Sequence, residues 1–458
     1  MRRGLFGASS DLDPHRPGVA TRERRALAER SREPGDSEVA GIQGAWITAV
    51  AGLRPLVSVI IPAHNAAPFI GAALRSVTAQ TYRRLEVIVV DDGSIDDTCE
   101  QVLRCSPDVT LVRQPNSGAA VARNTGIQRS HGAYVAFLDA DDVWLPRKVE
   151  RLVDVLERRP DVAAAYHGYA AIDEAGTIIG HPVIRTHSGN FLEAMLLSCL
   201  FGPPMVMIRR ACLDRIGLFD PSLRLGQDWD LFLRMALAGC KFHSVPEVLV
   251  HCRTHARNST RDLASGAAYT RLVLDRAFVD PQLPERLRRP AFRATAYKTH
   301  AIFFATRCLR DDGHREDGIE LLRDAVRQDP EMLTHPSSYL DLALRTLPPG
   351  DQTWPGLARH IDHAVSVLVE TLNELLRMPG LPSSVARRRR QAWCALWTTA
   401  SALYALGHRY LPAASSVGRA LRSDPLTLAQ TLVRAASGRW RSIPSAWRPA
   451  PNGEMRQP

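Results

Sequence analysis

Four short apolar runs alternate with segments of helical spacing between residues 57 and 158, and this alternation constrains the fold more than any other feature of the chain. "VSVIIP" (57–62), "LEVIVV" (85–90), "VTLVR" (109–113) and "AYVAFLDA" (133–140) read as strands, the first two buried on both faces. Residues 69–79, roughly 96–104 and 117–130 carry the helical spacing between them. A further helix is expected from Pro146, a residue suited to a first turn, and Ser94 with Asp97 predicts a capping box. Such alternation implies βαβ units and a mainly parallel sheet with helices on both faces. Ligands of such sheets bind beyond the carboxyl ends of the strands. Four turns are expected there: Ala63-His64-Asn65, Asp91-Asp92-Gly93-Ser94, Gln114-Pro115-Asn116 and Asp139-Ala140-Asp141-Asp142.

After Ala170 the segments shorten. Helices near 190–198 and over 228–239 are predicted, with strands near 204–208, 241–245 and 248–252. Beyond about residue 265 only helical spacing remains, broken near 347–356 and 379–383. Residues 311–331 and 406–425 each run from a Gly-His-Arg turn to an amphipathic helix stopped by Asp-Pro. Helix pairs of that kind resemble tetratricopeptide repeats, but two copies predict a helical appendage rather than an array.

Lys and Arg number 58 against 48 Asp and Glu, a net charge of +10, which favours anionic partners such as nucleotides, phosphorylated carriers or anionic lipid. Much of the excess is arginine in the tails, and no basic stripe with interleaved aromatics is present, so nucleic acid is not expected as a partner. The eight cysteines show neither C-x-x-C nor zinc-site spacing and are expected to be reduced, cytosolic thiols. Residues 1–40 lack the apolar region and cleavage site of a signal peptide. The most apolar later stretch, 190–208, is interrupted by Glu193 and Pro203-Pro204, so no transmembrane segment is expected.

The chemistry lies in the two acidic clusters. Placed at a strand end with alternating direction, Asp139 and Asp141 are expected to face the same side. Hard divalent cations take such oxygen ligands, share them with phosphate, and neutralise the charge of a departing diphosphate. In the other cluster a carboxylate of Asp91 or Asp92 offers an acceptor to a base or ribose, and Gly93 permits close backbone approach. Ser94 and Asp96 are expected to serve partly as turn and cap. No Walker A or G-x-G-x-x-G motif follows any strand. Pro-Ala-His-Asn stands where sugar-nucleotide nucleotidyltransferases carry a glycine-rich loop.

"VSVIIPAHNAAPFIGAALRSVTAQTYRRLEVIVVDDGSIDDT", "NSGAAVARNTGI" and "GAYVAFLDADDVWLPRKV", in this order, resemble family 2 glycosyltransferases of the GT-A fold, over roughly residues 56–260. The resemblance implies inverting transfer from a nucleotide-diphosphate sugar, a UDP-sugar by family habit, with Mn²⁺ or Mg²⁺. It implies that Pro62, Ala63, His64, Asn65 and Asp91 contact the nucleoside with Asp92 nearby, that Gly118 and Arg123 lie near the donor, and that Asp139 and Asp141 form the metal and diphosphate site. "GQDWDLFLRMALAGCKFHSVPE" (226–247) resembles the acceptor side, with Asp228 as the base that takes the acceptor hydroxyl proton. Gln227 replaces the commoner glutamate there, and Asp230 reads as structural. "LVHCRTHARNST" (249–260) resembles the segment that sets an arginine and a histidine over the diphosphate: Arg253 and His255, the latter also assigned to the metal, with His251 behind. Trp144 and Trp229 flank the acidic sites and are expected to stack on a sugar or to pack internally.

The fold expected is α/β: a Rossmann-like, mixed and mainly parallel GT-A sheet over 55–260, after an Arg-rich segment (1–54) and before a helical region (261–458). Enzymes of this resemblance build cell-surface or secreted glycans in the cytoplasm, beside the membrane that carries lipid-linked acceptors. Arg387 to Arg390 offer a contact to anionic lipid or simply a solvated helix face, and the C-terminal helices offer a surface to a protein partner. The alternative from another class is a non-catalytic, transferase-like scaffold that binds a partner through those helices; the presence of both Asp141 and Asp228 argues against it.

Overall fold

The computed structural model describes residues 54–429, apart from 107, 188–189, 257, 259–261, 311–313, 348–358, 378–382 and 407–409. The expected N-terminal segment and most of the two predicted breaks lie outside the described residues. The described residues from Pro55 onward form one compact unit.

Its first half is β1 (Val57–Ala63), α1 (Ile70–Thr78), β2 (Leu85–Asp92), α2 (Thr98–Cys105), β3 (Thr110–Gln114), α3 (Ala119–Gln128) and β4 (Tyr134–Phe137). β1 runs parallel to β2 and β4, and β2 parallel to β3. Val57, Val59, Ile60 and Ile61 are all fully buried, which is why β1 reads as an unbroken apolar run instead of an alternating one. Gly126 lets α3 lie close on this strand: a Cβ there would stand 2.4 Å from Ile60 Cγ2.

The sheet continues with β5 (Val143–Trp144), α4 (Lys148–Arg158), β6 (Val162–Ile172), β7 (Ile178–Val183), α5 (Phe191–Leu197), β8 (Val206–Arg209), α6 (Arg210–Ile216), α7 (Gln227–Leu237) and β9 (Lys241–Arg253). Its order is β3-β2-β1-β4-β8-β6-β9-β5, with β7 on β6. β8 is antiparallel to β4 and β6, whereas β6 and β9 are parallel, so the sheet is mixed. Strands β2 and β3 lie to one side of β1 and β4 to the other. The chain therefore leaves β1 and β4 in opposite directions, opening a crevice at the carboxyl edge.

Several local expectations are corrected. Ser94 and Asp97 form no capping box: the Ser94 hydroxyl accepts from the Asn65 N–H, and Asp97 makes no side-chain cap. β4 stops at Phe137, and Asp139–Asp142 form a turn closed by Asp142 N–H to Asp139 O (3.0 Å). Strand alternation thus does not orient Asp139 and Asp141. Pro146 precedes α4 rather than opening it, and its carbonyl accepts from Thr81 N–H. The two strands predicted over 241–252 are one, whose register against β6 shifts between Val245 and Val248 and leaves Pro246 and Glu247 as a bulge.

Beyond β9 come α8 (Leu263–Val279), α9 (Pro290–Cys308), α10 (Arg315–Gln328), α11 (Pro336–Arg345), α12 (Ile361–Leu376), α13 (Ser383–Arg387), α14 (Arg389–Leu406) and α15 (Tyr410–Ser423). Among the described residues no strand follows Arg253. α10 and α15 end where expected, each at the residue immediately before the aspartate, Asp329 or Asp424. Val273, Leu274, Ala277, Phe278 and Ala296 extend the core between the sheet and α7, while a second core, from Ile302 to Ala413, belongs to the later helices. No described helix is long and apolar enough to cross a membrane.

Candidate active site

The turns at the carboxyl edge are laced to one another by side chains. Asn65 sits at φ 50°, a left-handed conformation that asparagine tolerates, with its N–H on Ser94 Oγ and its Oδ1 accepting from Ile95 N–H. His64 Nδ1–H donates to Asp92 O (2.9 Å), which fixes the tautomer and leaves Nε2 to accept from the Asn65 and Asn116 amides. Gly93, at φ 74°, leaves no room for a side chain: a Cβ would lie 2.7 Å from Asn116 N. Pro62 and Ala63 are paired with Val90 and Asp91 at the ends of β1 and β2.

The adjacent aspartates behave differently. Asp92 is buried with both oxygens occupied, Oδ1 by Gln114 Nε2 and Ser117 N–H and Oδ2 by Gly118 N–H, each at 2.8 Å. It ties β2 to the turn that enters α3, with Gly118 as that helix's N-cap at φ 91°. Asp91 is equally buried, accepts from Ser94 N–H through Oδ1, and leaves Oδ2 without a hydrogen bond, Arg113 Nε standing 3.6 Å away.

Around the turn after β4, Arg123 projects from α3 and is buried. Its Nη2 donates to Asp139 Oδ1 (2.7 Å), and its Nε and Nη1 reach no hydrogen-bond partner among the described residues. Asp141 Oδ2 accepts from His255 Nε2 (2.9 Å), and the His255 ring is stacked on Phe69. Burial and the Asp139 charge hold the Asp141 carboxyl above its usual range, and burial with both neighbours pushes Asp142 well above. Crowded carboxylates in that state favour a cation between them.

Among the described residues no three His, Cys, Asp or Glu side chains already form a metal cage. The donor set fits a hard cation held jointly by Asp139, Asp141 and diphosphate oxygens, which does not require an all-protein cage.

Arg253 is tied to the protein at several atoms. Its Nε donates to Asp141 O and its Nη1 to the carbonyls of Asp173 and Glu174, while its N–H holds Asp142 Oδ1. It clamps the acidic turn to the β6–β7 connection. Asn258 and Phe69 were not singled out from sequence. Asn258 accepts from His255 N–H and donates to Arg253 O (3.2 Å), with Asp141 Oδ2 at 3.4 Å. The signal available was an amide side chain three residues past His255 in a polar segment.

On the acceptor side, Gly226 is the N-cap of α7, at φ 73°, so Asp228 falls in the helix's first turn, where the dipole favours negative charge. Burial pushes its carboxyl up, the Arg123 guanidinium pulls it back, and Asp139 adds a smaller upward push. Asp228 thus shares a neighbourhood with the Arg123–Asp139 pair. A Cβ on Gly202 would stand 3.9 Å from Asp228 Oδ2. Gln227 is buried with Oε1 unpartnered, and Asp230 pairs with Arg234 (2.8 Å) and lies 3.8 Å from Arg276. Both tryptophans pack internally: Trp144 beneath the Lys148 ammonium, Trp229 against His300 with its indole N–H on Met195 O. His251 pairs with Val143 across β5 and β9.

A crevice at the switch point of a mixed α/β sheet, edged by carboxylates and the buried Arg123 and Arg253, defines an α/β protein whose site lies at the carboxyl edge of its strands. The profile described as Glycosyl transferase family 2 matches residues 58–217. The chain is 34% identical over 212 residues to an uncharacterized glycosyltransferase of Rickettsia prowazekii, covering 45% of this chain and 66% of that one. It is 30% identical over 209 residues to one of Haemophilus influenzae, covering 45% and 70%. With the putative teichuronic acid biosynthesis glycosyltransferase TuaG of Bacillus subtilis it shares 34% over 204 residues, covering 44% and 79%. The chain belongs to glycosyltransferase family 2. The match spans just under two thirds of the R. prowazekii protein and 36% of a longer one from Rickettsia felis. Among solved structures, S. aureus TarS 1–349 is 17% identical with a TM-score of 0.45, covering 70% of this chain and 90% of that one.

Proposed function

We propose that residues 55–260 transfer a sugar, with inversion, from a nucleotide-diphosphate sugar to an acceptor hydroxyl, and that 261–458 form a helical accessory region. The observation that carries this reading is Arg123: a buried guanidinium, anchored on Asp139, with two nitrogens, Nε and Nη1, unpartnered among the described residues and its charge felt at Asp228. Such donors suit the developing charge of a diphosphate leaving group.

In this reading the nucleoside lies against Pro62–Asn65 and reaches the buried Oδ2 of Asp91, which accepts no hydrogen bond among the described residues. Asp139 and Asp141, steadied by His255, would hold Mn²⁺ or Mg²⁺, which when bound supplies charge neutralisation to the diphosphate. Asp228 takes the proton of the acceptor hydroxyl as that oxygen attacks the anomeric carbon. Its raised carboxyl brings it closer to the proton affinity useful in a base near neutral pH. Arg123 donates to the diphosphate oxygens as the anomeric C–O bond breaks on the opposite face, which inverts the centre.

A UDP-sugar is the first donor to try, with a glycan or lipid-linked acceptor. The B. subtilis relative's name, in teichuronic acid biosynthesis, supports a cell-envelope polymer as the destination. The site of action proposed is the cytoplasm, at most peripheral to the membrane.

The test is NDP release and sugar transfer with UDP-, GDP- and dTDP-sugars, with Mn²⁺, Mg²⁺ or EDTA, for wild type, Asp141→Ala and Asp228→Asn. Metal-dependent turnover lost in both variants is expected. If no donor binds or turns over with or without metal, the reading fails and the partner-binding scaffold replaces it.

A further inference from the structure

Cys212 and Cys240 take no part in the site above, yet the fold brings them together. Cys212 lies in the first turn of α6 and Arg215 three residues later, so the two share a helix face. Cys240 is fixed by the closure of α7: Gly239, at φ 76°, donates its N–H to Ala236 O (3.1 Å), and Cys240 N–H reaches back to Met235 O (2.9 Å). These two bonds are the paired closure of a Schellman motif, which holds the cysteine rigidly one residue past the left-handed glycine.

In that position Cys240 Sγ lies 3.1 Å from Cys212 Sγ and 3.0 Å from Arg215 Nη2. Both are free thiols. A disulfide bond is about 2.05 Å long, so an approach of about one ångström joins them. Each keeps a sliver of exposure, 6% at Cys212 and 8% at Cys240, beside an exposed Arg215.

We propose that Cys212 and Cys240 form a redox-modifiable dithiol, with Cys240 the nucleophile toward a hydroperoxide and Cys212 the resolving thiol. The surroundings divide the roles. The Cys212 hydrogen bond and the Arg215 guanidinium, 3.0 Å from Cys240 Sγ, hold the Cys240 thiol below its ordinary value against the upward push of burial. The thiolate is the reactive form, and a cation beside it selects which sulfur reacts.

The Cys240 thiolate attacks one peroxide oxygen and the O–O bond breaks, giving a sulfenic acid and hydroxide; the sulfur is oxidised by two electrons and the peroxide reduced. Cys212 then attacks the Cys240 sulfur, the S–O bond breaks, and the hydroxyl leaves with the Cys212 proton as water. The resulting disulfide staples α6 to the end of α7, the helix whose first turn carries Asp228.

The test treats the purified full-length protein with hydrogen peroxide at low stoichiometry and maps thiols by mass spectrometry. A Cys212–Cys240 cross-link is expected ahead of oxidation at the other six cysteines. In Cys212→Ser the same dose should leave a dimedone-trappable sulfenic acid on Cys240. Arg215→Leu should slow iodoacetamide labelling of Cys240 at pH 7 severalfold, with Arg215→Lys recovering part of the rate. Circular dichroism checks that each variant is folded. If Cys240 stays reduced while other cysteines oxidise, or if folded Arg215→Leu labels as fast as wild type, the proposal is overturned.

Discussion

Arg123 Nη2 stands 2.7 Å from Asp139 Oδ1, and Nε and Nη1 of the same buried guanidinium reach no protein partner among the described residues. Leaving buried donors unpaired costs about 1–3 kcal/mol each, so a ligand that fills them recovers a cost already present in the free protein. Arg123→Met is expected to lower kcat by about 10²–10³-fold, the loss typical of one positioned electrostatic donor. Arg123→Lys should recover little, because a single ammonium cannot hold Asp139 and a diphosphate with a planar fork. Steady-state kinetics with calorimetric donor binding checks both. Unchanged kcat and donor affinity in Arg123→Met would leave the arginine a packing residue.

Asp228 supplies a test with opposite signs for stability and activity. Its carboxyl is raised in the folded protein, chiefly by burial, so the charged form is disfavoured there relative to the unfolded chain. The stability linked to this group is fully present below the ordinary carboxylate value of 3.8 and is lost as pH rises through the folded value. Asp228→Asn removes that loss. The variant should melt at a higher temperature than wild type at pH 8, with the difference shrinking toward pH 4, and should show no transfer. For wild type, kcat/KM should climb with pH through the raised Asp228 titration. A melting difference independent of pH would detach the residue from this account.

What was legible in the sequence follows from what each element buries. β1 announces itself because both of its faces are covered. β7 is exposed along almost its whole length and β5 has two residues, so neither leaves a hydrophobic pattern to read. The acidic residues were visible as clusters, but their division of labour was not. Asp91 and Asp92 are neighbours with opposite fates because pairing with β1 and β3 sends successive side chains to opposite faces of β2. The carbonyls that hold Arg253 come from Asp141, Asp173 and Glu174, distant in sequence and joined only by the sheet, so its motif does not announce them.

Those fates predict different costs of truncation. Asp92→Ala would strand the donors of Gln114, Ser117 and Gly118. At about 1–3 kcal/mol for each one left dry, the loss should be about 2–4 kcal/mol once water reaches some of them. Asp91→Ala strands one donor, Ser94 N–H, where Asp92→Ala strands three, so it should cost less in stability and more in donor KM. Urea unfolding of the two variants, set beside their KM values, separates the roles. Equal destabilisation would show that the pair acts as one structural unit.

Asn258 offers the sharpest test of the acidic turn because it lies beside the site without being a proposed metal ligand. Its Oδ1 holds His255 N–H, and its amide bridges Arg253 O and the vicinity of Asp141 Oδ2. Residues that orient ligands from behind typically change metal affinity by about 10–100-fold when removed. Asn258→Ala should therefore weaken Mn²⁺ binding by about that factor, read by electron paramagnetic resonance in the presence of UDP. At saturating Mn²⁺ its kcat should return close to the wild-type value, since Arg123 and Asp228 keep their own anchors. A kcat deficit that persists at saturating metal would move Asn258 from orienting Asp141 and His255 to contacting the donor itself.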